Sequence, residues 1–556
     1  MNRLERTDQL LLIAFLAVLA FPLLYAVRVL DNNTLTSWQW VFRQGGVLEL
    51  FLLVAAVTIV MFPLSGVAPD PRLHPAILFL AALLAVMPLW NEPEVILDAS
   101  RYFSQAKYLA LHGPWSFLRE WGGEIDVWTD LPAIPFVFGV AFRYLGESRT
   151  VIQGMTTLLF SLTVVSTYRI GRTLVNAETG LLAGLLLLGF PYLLTQVPLM
   201  LVDVPTMALI TFSLDAFLCA VLIGGRLRAL LAVALIVLAI FAKFSTWLML
   251  PVLPVAAFVI ARRGDKAAVR RSLLVLGASA VVGAALLAAQ YQVIAAQLDL
   301  LREYQLPGLG RWRESTLSTF FFQIHPFVTL LAAYGVVTAV RKKEIVFLVP
   351  ACFVLFVLLL RVERIRYMLP LFPLFALMAS HGLRALSGDA RVRRFTALSV
   401  AGASLVLVLF AYLPFLNNST MANLRDAGHY LDSLPGEAVE VLVLPQHSSI
   451  GNTEAAVPLL DLFTRKRLIL RQEPQPRPSA GKLLTSSLRF TWELKRPGWY
   501  AMQDDDSGLP LVVLSSGDEP FPPNAAGKRF AADTSTFRYK TVLTVLNRSA
   551  LAQTAQ

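Results

Sequence analysis

Residues 92–115 read EPEVILDASRYFSQAKYLALHGPW and follow an apolar run that ends near Trp90. Three carboxylates, Glu92, Glu94 and Asp98, stand here beside an Arg101–Tyr102 pair, in a chain in which only 15% of residues are charged. Held helically, Glu94, Asp98, Arg101 and Tyr102 fall at i, i+4, i+7 and i+8 and share one face. Such a face can hold an acceptor hydroxyl against a base. An amphipathic helix lying on a bilayer with its charges outward accounts for the same spacing.

What flanks this stretch is membrane. The chain of 556 residues is 56% hydrophobic, with a mean hydropathy of +0.62, which is too apolar for a soluble protein. Apolar runs long enough to span occur at about 8–29, 46–65, 74–90, 150–168, 180–198, 205–223, 229–243, 245–261, 272–291, 324–340, 344–360, 367–386 and 395–415, about thirteen helices. The first follows Arg3 and Arg6 without a small-residue cleavage site, so it is expected to be retained with a cytoplasmic N-terminus.

Alternating from there puts Arg72, Arg169 and Arg172, Arg226 and Arg228, the 262–271 cluster, the 341–343 cluster and the 384–394 cluster on one side. That is the distribution the positive-inside rule requires. It places the 91–149 loop, 199–204, 292–323, 361–366 and everything beyond about 416 on the outer side. The formal charge of +11 is read as this topology and not as a nucleic-acid surface. Cys219 and Cys352 both lie in apolar runs, so neither a disulfide nor a cysteine metal site is expected.

The tail changes character. Period-two apolar patterns at Val439–Leu444, Leu468–Leu470, Leu511–Leu514 and Val542–Leu546, with a helix at about Met421–Leu434, predict a small α/β domain. The chain thus divides into a membrane module, 1–416, and an outer domain, 417–556. Asp504, Asp505 and Asp506 in succession read as a solvated loop. Dinucleotide, Walker, zinc-ligand and nucleophile-elbow patterns organise no segment, so the chemistry is expected at charged outer helix ends.

The Asp98-x-x-Arg101-Tyr102 string, followed by a helix and Gly113-x-Trp115, resembles the first outer loop of the GT-C superfamily. These multi-spanning glycosyltransferases use lipid-phosphate sugars and include the protein O-mannosyltransferases and the lipid A aminoarabinose transferases. In Trp128-Thr-Asp130-Leu-Pro132, Asp130 is similar to the acidic member of the family's re-entry element, while Leu131 departs from its lysine; a helix cap is the structural alternative. Leu201-Val-Asp203-Val-Pro205 resembles the second outer loop, with a carboxylate that is costly near hydrocarbon, although N-capping also suits Asp203. Lys243 is set against the positive-inside tendency, where it neutralises a lipid phosphate or snorkels to ordinary headgroups. Arg361, Glu363, Arg364, Arg366 and Tyr367 crowd a short outer loop, and Arg366-Tyr-x-Leu-Pro370 resembles the late motif near the donor phosphate; guanidinium forks suit phosphate oxygens, whether of a donor or of headgroups. His325 stands near the same face, where a helix-end hydrogen bond competes with a role in the site.

The resemblance implies a GT-C-like catalytic module that takes a sugar from a polyprenyl phosphate and passes it, with inversion, to an acceptor hydroxyl on a glycan, lipid or protein. Asp98 is then the catalytic base. Lys243, Arg364, Arg366 and Tyr367 bind the donor phosphate, with Glu94, Arg101, Tyr102, Asp130, Asp203 and His325 in support. A divalent cation held by Asp98 and Asp203 is left open, and a bacterial inner membrane is the expected location. The competing class is a transporter or flippase of a lipid-linked sugar, which calls for ionisable residues in mid-helix and broken helices in repeated halves; Asp215 is the mid-span carboxylate to examine.

Overall fold

The computed structural model describes residues 46–308, 318–360, 365–418, 421–444, 451–470, 472, 474–501, 509–516, 527–531 and 539–546, with a few positions between 9 and 16. The span expected at 8–29 and the triple Asp504–Asp506 lie outside these. Eight described helices are long and apolar enough to cross a membrane: Val47–Ser65, His74–Asn91, Arg149–Leu174, Asp203–Leu222, Phe244–Ala261, Lys266–Ala289, Ile365–Leu386 and Ala390–Asn417. Shorter apolar helices at Ala133–Leu145, Ala177–Leu187 and Ile345–Val357 stand beside them, so helix length alone does not fix the number of crossings at thirteen.

Burial sorts these helices into centre and periphery. Asp203–Leu222 and Ile365–Leu386 are 78% and 83% buried, whereas Val47–Ser65 and Lys266–Ala289 are 17% and 22% buried. The outer pair exposes Leu48, Leu52, Ile59, Leu273, Leu274 and Val281. Apolar patches of that extent belong in lipid. On the side that carries the basic loops, helix entries are capped by side chains: Asn176 accepts from Thr179 N at 2.9 Å, Asp265 from Ala268 N at 2.9 Å and Asp389 from Arg391 N at 2.8 Å.

The single span expected over 180–198 is broken. Ala177–Leu187 ends before Phe190, and a separate helix, Pro191–Gln196, follows. Pro191 provides no N–H and restricts the residue before it, so it opens a new helix instead of continuing the old one.

Helices Pro326–Lys342 and Phe372–Leu386 cross with almost no side chain between them. A Cβ on Gly335 would meet Met378 O, and one on Gly382 would meet Leu331 O. Replacing Gly382 with Val is therefore expected to lower stability by about 1–3 kcal/mol, the usual cost of overpacking. Thermal unfolding in detergent checks this, and an unchanged Tm would contradict so close a crossing.

The C-terminal region folds around a five-stranded sheet of order β2-β1-β3-β5-β4. The strands are β1 (Ala438–Val443), β2 (Arg467–Leu470), β3 (Leu511–Ser515), β4 (Gly527–Ala531) and β5 (Val542–Leu546). β2, β1 and β3 run parallel; β5 pairs antiparallel with β3 and β4. All of β3 and β5 is buried, as strands covered on both faces must be. The expected helix is present at Ala422–Ser433. β4 was not expected: its sequence, GKRFA, has no apolar alternation, and its exposed Lys528 and Arg529 suit a charged edge strand.

This sheet region sits directly on the segment that begins at Asp98. Lys107 Nζ reaches Asp461 Oδ2 at 2.8 Å and Glu147 Oε1 at 2.9 Å, and Tyr500 OH donates to the same Asp461 oxygen at 2.7 Å. Burial alone would push the Lys107 ammonium down, but its two carboxylate partners raise it above its ordinary value. Lys495 Nζ donates to Gly123 O at 2.6 Å, and the Arg149 guanidinium lies 5.3 Å from the Phe463 ring centre.

Candidate active site

The helix that presents Asp98 runs from Asp98 to His112. Pro93 and the apolar Val95-Ile96 precede it in non-helical backbone, so Glu94 is not part of the helical face expected from spacing. Instead Glu94 is fully buried, paired with Arg149 Nε at 3.0 Å and accepting from Met200 N at 3.1 Å. Burial raises its pKa in spite of Arg149. Gly113, with φ of 87°, and Pro114 close the Asp98–His112 helix and start the next. Within that helix Asp98, Arg101 and Tyr102 stand at i, i+3 and i+4 and all three face one cavity.

The cavity has a volume of about 430 Å³, within the range of small-molecule sites. Its walls come from 95–102, 128–131, 242–248, 298–306, Arg366-Tyr367 and, in the C-terminal region, Met421, 487–490 and Tyr539.

Charges cross it in one connected line. Asp203, 1% exposed, accepts from Lys243 Nζ through Oδ1 at 2.5 Å and from Arg366 Nε through Oδ2 at 2.7 Å. Arg366 Nη1 donates to Asp98 Oδ2, and Arg101 Nη1 lies 3.8 Å from Asp98 Oδ1. Arg101 in turn grips Asp130 with a fork, Nη2 donating to Oδ1 at 2.9 Å and Nε to Oδ2. Burial opposes the Arg101 charge, but Asp130 outweighs it and the guanidinium is held above its ordinary pKa; burial and Asp130 likewise push the Tyr102 hydroxyl up. Arg101 and Tyr102 therefore act as a fixed cation and a neutral phenol.

Local structure explains why each charge points there. The Arg226–Ile240 helix stops, and Lys243 stands in extended backbone, φ −165°, before the 3-10 turn Phe244–Leu248. Lys243 Nζ also lies 4.6 Å from the centre of the Tyr367 ring. Arg366 is carried by the first turn of the Ile365–Leu386 span, Ile365–Met368, which the 3-10 turn Leu369–Leu371 joins to Phe372–Leu386. Asp203 opens its helix, where a carboxylate suits the helix dipole. It caps no backbone N–H in that helix, its oxygens being engaged by Lys243 and Arg366. Asp130 likewise caps nothing in Ala133–Leu145, which starts from Pro132.

Arg364 lies outside the described residues, as do Arg361 and Glu363. His325 is away from the cavity: it is 3% exposed, and its Nδ1 accepts from Phe327 N at 3.3 Å at the head of Pro326–Lys342, so it is a helix cap. Asp215 pairs with Arg169 Nε at 3.2 Å and does not face the cavity.

The donor set does not fit a divalent cation as arranged. Arg366 binds Asp98 and Asp203 together, and a metal between them would have to displace that guanidinium. Among the described residues no group of three His, Cys, Asp or Glu comes together.

Sequence reasoning missed the far end of the cavity. Trp128 adopts φ of +44°, a left-handed backbone that costs a bulky residue about 1–2 kcal/mol. Asp126 Oδ1 holds it there by accepting from Trp128 N at 3.2 Å. Its ring meets Tyr304 with centroids 5.7 Å apart and Phe490 at 6.2 Å. Tyr304 sits in the π-helical turn Leu301–Gln305 and Phe490 in the tail; only the Trp beside Asp130 gave any signal.

No protein-family model and no curated protein matches the chain. Solved structures do. ArnT from Cupriavidus metallidurans in the apo state is 16% identical, with 84% of this chain and 97% of that chain covered and a TM-score of 0.54. The same protein bound to undecaprenyl phosphate is 14% identical over the same shares, with a TM-score of 0.53. The chain thus shares its overall fold with that protein over most of both lengths, and it is a polytopic helical membrane protein of GT-C-like fold with a small C-terminal sheet region.

Proposed function

We propose that the chain is an integral-membrane glycosyltransferase that takes a sugar from a polyprenyl-phosphate donor and transfers it to an acceptor hydroxyl, with inversion. The observation that carries the reading is the Lys243–Asp203–Arg366–Asp98 line bordering a cavity at the ends of apolar spans. The undecaprenyl phosphate bound by ArnT supports a donor of that kind. The 1–416 segment serves as the membrane module and 417–556 as a domain on the outer face, in a bacterial inner membrane with the N-terminus cytoplasmic.

In this account the donor tail lies in the bilayer and its phosphate enters beside Lys243, Arg366 and Tyr367. Arg366 uses Nε and Nη1 on the two aspartates, and among the described residues Nη2 makes no hydrogen bond, so it keeps donors for a phosphate oxygen. Asp203 orients both cations. Asp98 accepts the acceptor proton as the hydroxyl oxygen forms its bond to the anomeric carbon; the bond from that carbon to the phosphate oxygen breaks, and the phosphate leaves with the electron pair. Stabilising the departing phosphate in a partly desolvated site contributes most, while the carboxylate contributes through position and late proton transfer. A single displacement inverts the configuration.

Lys243→Met removes one of the cations expected at the phosphate and leaves Arg366 in place. Affinity for polyprenyl phosphate, measured by competition with a fluorescent lipid phosphate in nanodiscs, is expected to fall about tenfold, the size of one charge-assisted contact. Unchanged affinity would move the phosphate elsewhere. Determining the anomeric configuration of the product by NMR tests the single displacement; a retained configuration would sink it.

A further inference from the structure

The cavity has two chemically different ends. Lys243, Arg366 and Tyr367 form one. At the other, beyond Asp98, Arg101 and Asp130, stand Trp128, Tyr304 and Phe490, with the Arg101 guanidinium 4.8 Å from the Phe490 ring centre. Along the contacts that run from Lys243 through Asp203, Arg366, Asp98 and Arg101 to Phe490, the phosphate-binding cations precede Asp98 and the aromatic end follows it. If Asp98 is the base, that is the acceptor's side.

We propose that Trp128, Tyr304 and Phe490 seat a saccharide ring, so that the acceptor is a glycan or the sugar headgroup of a glycolipid; the word acceptor here rests on the transferase reading above. Three rings from distant parts of the chain meet at one wall, and Trp128 is held there in a backbone conformation that a bulky residue avoids unless its surroundings impose it. Tyr304 is fixed from behind by its hydroxyl, which donates to Ser486 O. The apolar C–H face of a pyranose carries slightly positive hydrogens that suit the negative face of an aromatic ring. Its hydroxyls need polar groups at the rim, and Thr129 and Gln305, themselves 3.0 Å apart through Gln305 Nε2 and Thr129 Oγ1, supply them. Among the described residues no strand borders the cavity, so it offers no sheet edge for the main-chain pairing by which many peptides are bound.

Binding of saccharides to the full-length protein in nanodiscs tests this without any turnover. The probes are the methyl glycosides of glucose, galactose, mannose and N-acetylglucosamine, with a threonine-containing pentapeptide as the competing class, read by saturation-transfer NMR. At least one glycoside is expected to show transfer on its ring C–H protons. Trp128→Ala should weaken it about three- to tenfold while Trp128→Phe, which keeps a stacking face, restores most of it. Glycoside binding that ignores Trp128 in both variants, no glycoside binding at all, or a peptide as the Trp128-dependent ligand would each overturn the proposal. A protein that binds glycosides at Trp128 yet consumes no lipid-linked sugar leaves the saccharide site standing and removes the transferase. Donor consumption that needs Asp98, with glycoside binding indifferent to Trp128, does the reverse.

Discussion

Replacing Asp98 with Asn is expected to lower kcat for sugar transfer by about 10²–10⁴-fold, the usual contribution of a positioned general base. The amide keeps nearly the same shape, and its oxygen can still accept from Arg366 Nη1, so the cavity and the cation line persist. Donor affinity should therefore stay within about threefold, and the loss should lie in kcat and not in KM. Single-turnover kinetics with preloaded donor make the separation. A loss confined to donor KM would reassign Asp98 to binding, and full activity in Asp98→Asn would remove it from the reaction.

Arg366→Ala carries the largest expected effect on stability. Asp203 is 1% exposed and shares Arg366 with Asp98. Removing the guanidinium leaves a buried carboxylate with Lys243 alone, and breaking a buried pair in this way costs about 3–5 kcal/mol. Transfer should vanish with it, because the same group is expected at the leaving phosphate. Arg366→Lys separates the two roles: an ammonium retains the charge but cannot fork to both aspartates. It is expected to restore part of the melting temperature and little of the activity. If Arg366→Lys matched the parent in both, the fork between Asp98 and Asp203 would not matter.

The charged half of the site was legible because charge is expensive beside hydrocarbon. Asp98, Asp203, Lys243 and Arg366 each stood out at the end of an apolar span, and the structure brings them into one line although they are far apart in sequence. Glu94 stood out for the same reason and faces elsewhere, since spacing assumed a helix where Pro93 and Val95-Ile96 lie in non-helical backbone. His325 was visible as a histidine near a helix end and is held there as a cap. The aromatic wall was not legible: in a chain that is 11% aromatic Tyr304 and Phe490 carry no local mark, and only tertiary packing sets them beside Trp128. In the tail, buried β1, β3 and β5 announced themselves through apolar runs, whereas the edge strand β4 is polar for the same reason that it is exposed. The break at Pro191 was readable from proline chemistry and was masked by the hydropathy on either side.

On the proposed function, this cavity moves a sugar off a lipid phosphate. Purified protein in proteoliposomes, supplied with a panel of polyprenyl phosphates carrying radiolabelled sugars and with membrane extract as the source of acceptor, tests it most directly. The account predicts label moving from the lipid phosphate to an acceptor, one free polyprenyl phosphate appearing for each sugar transferred, and both events disappearing in folded Asp98→Asn protein. A panel from which neither form consumes any donor, with the protein folded and able to bind polyprenyl phosphate, would contradict it.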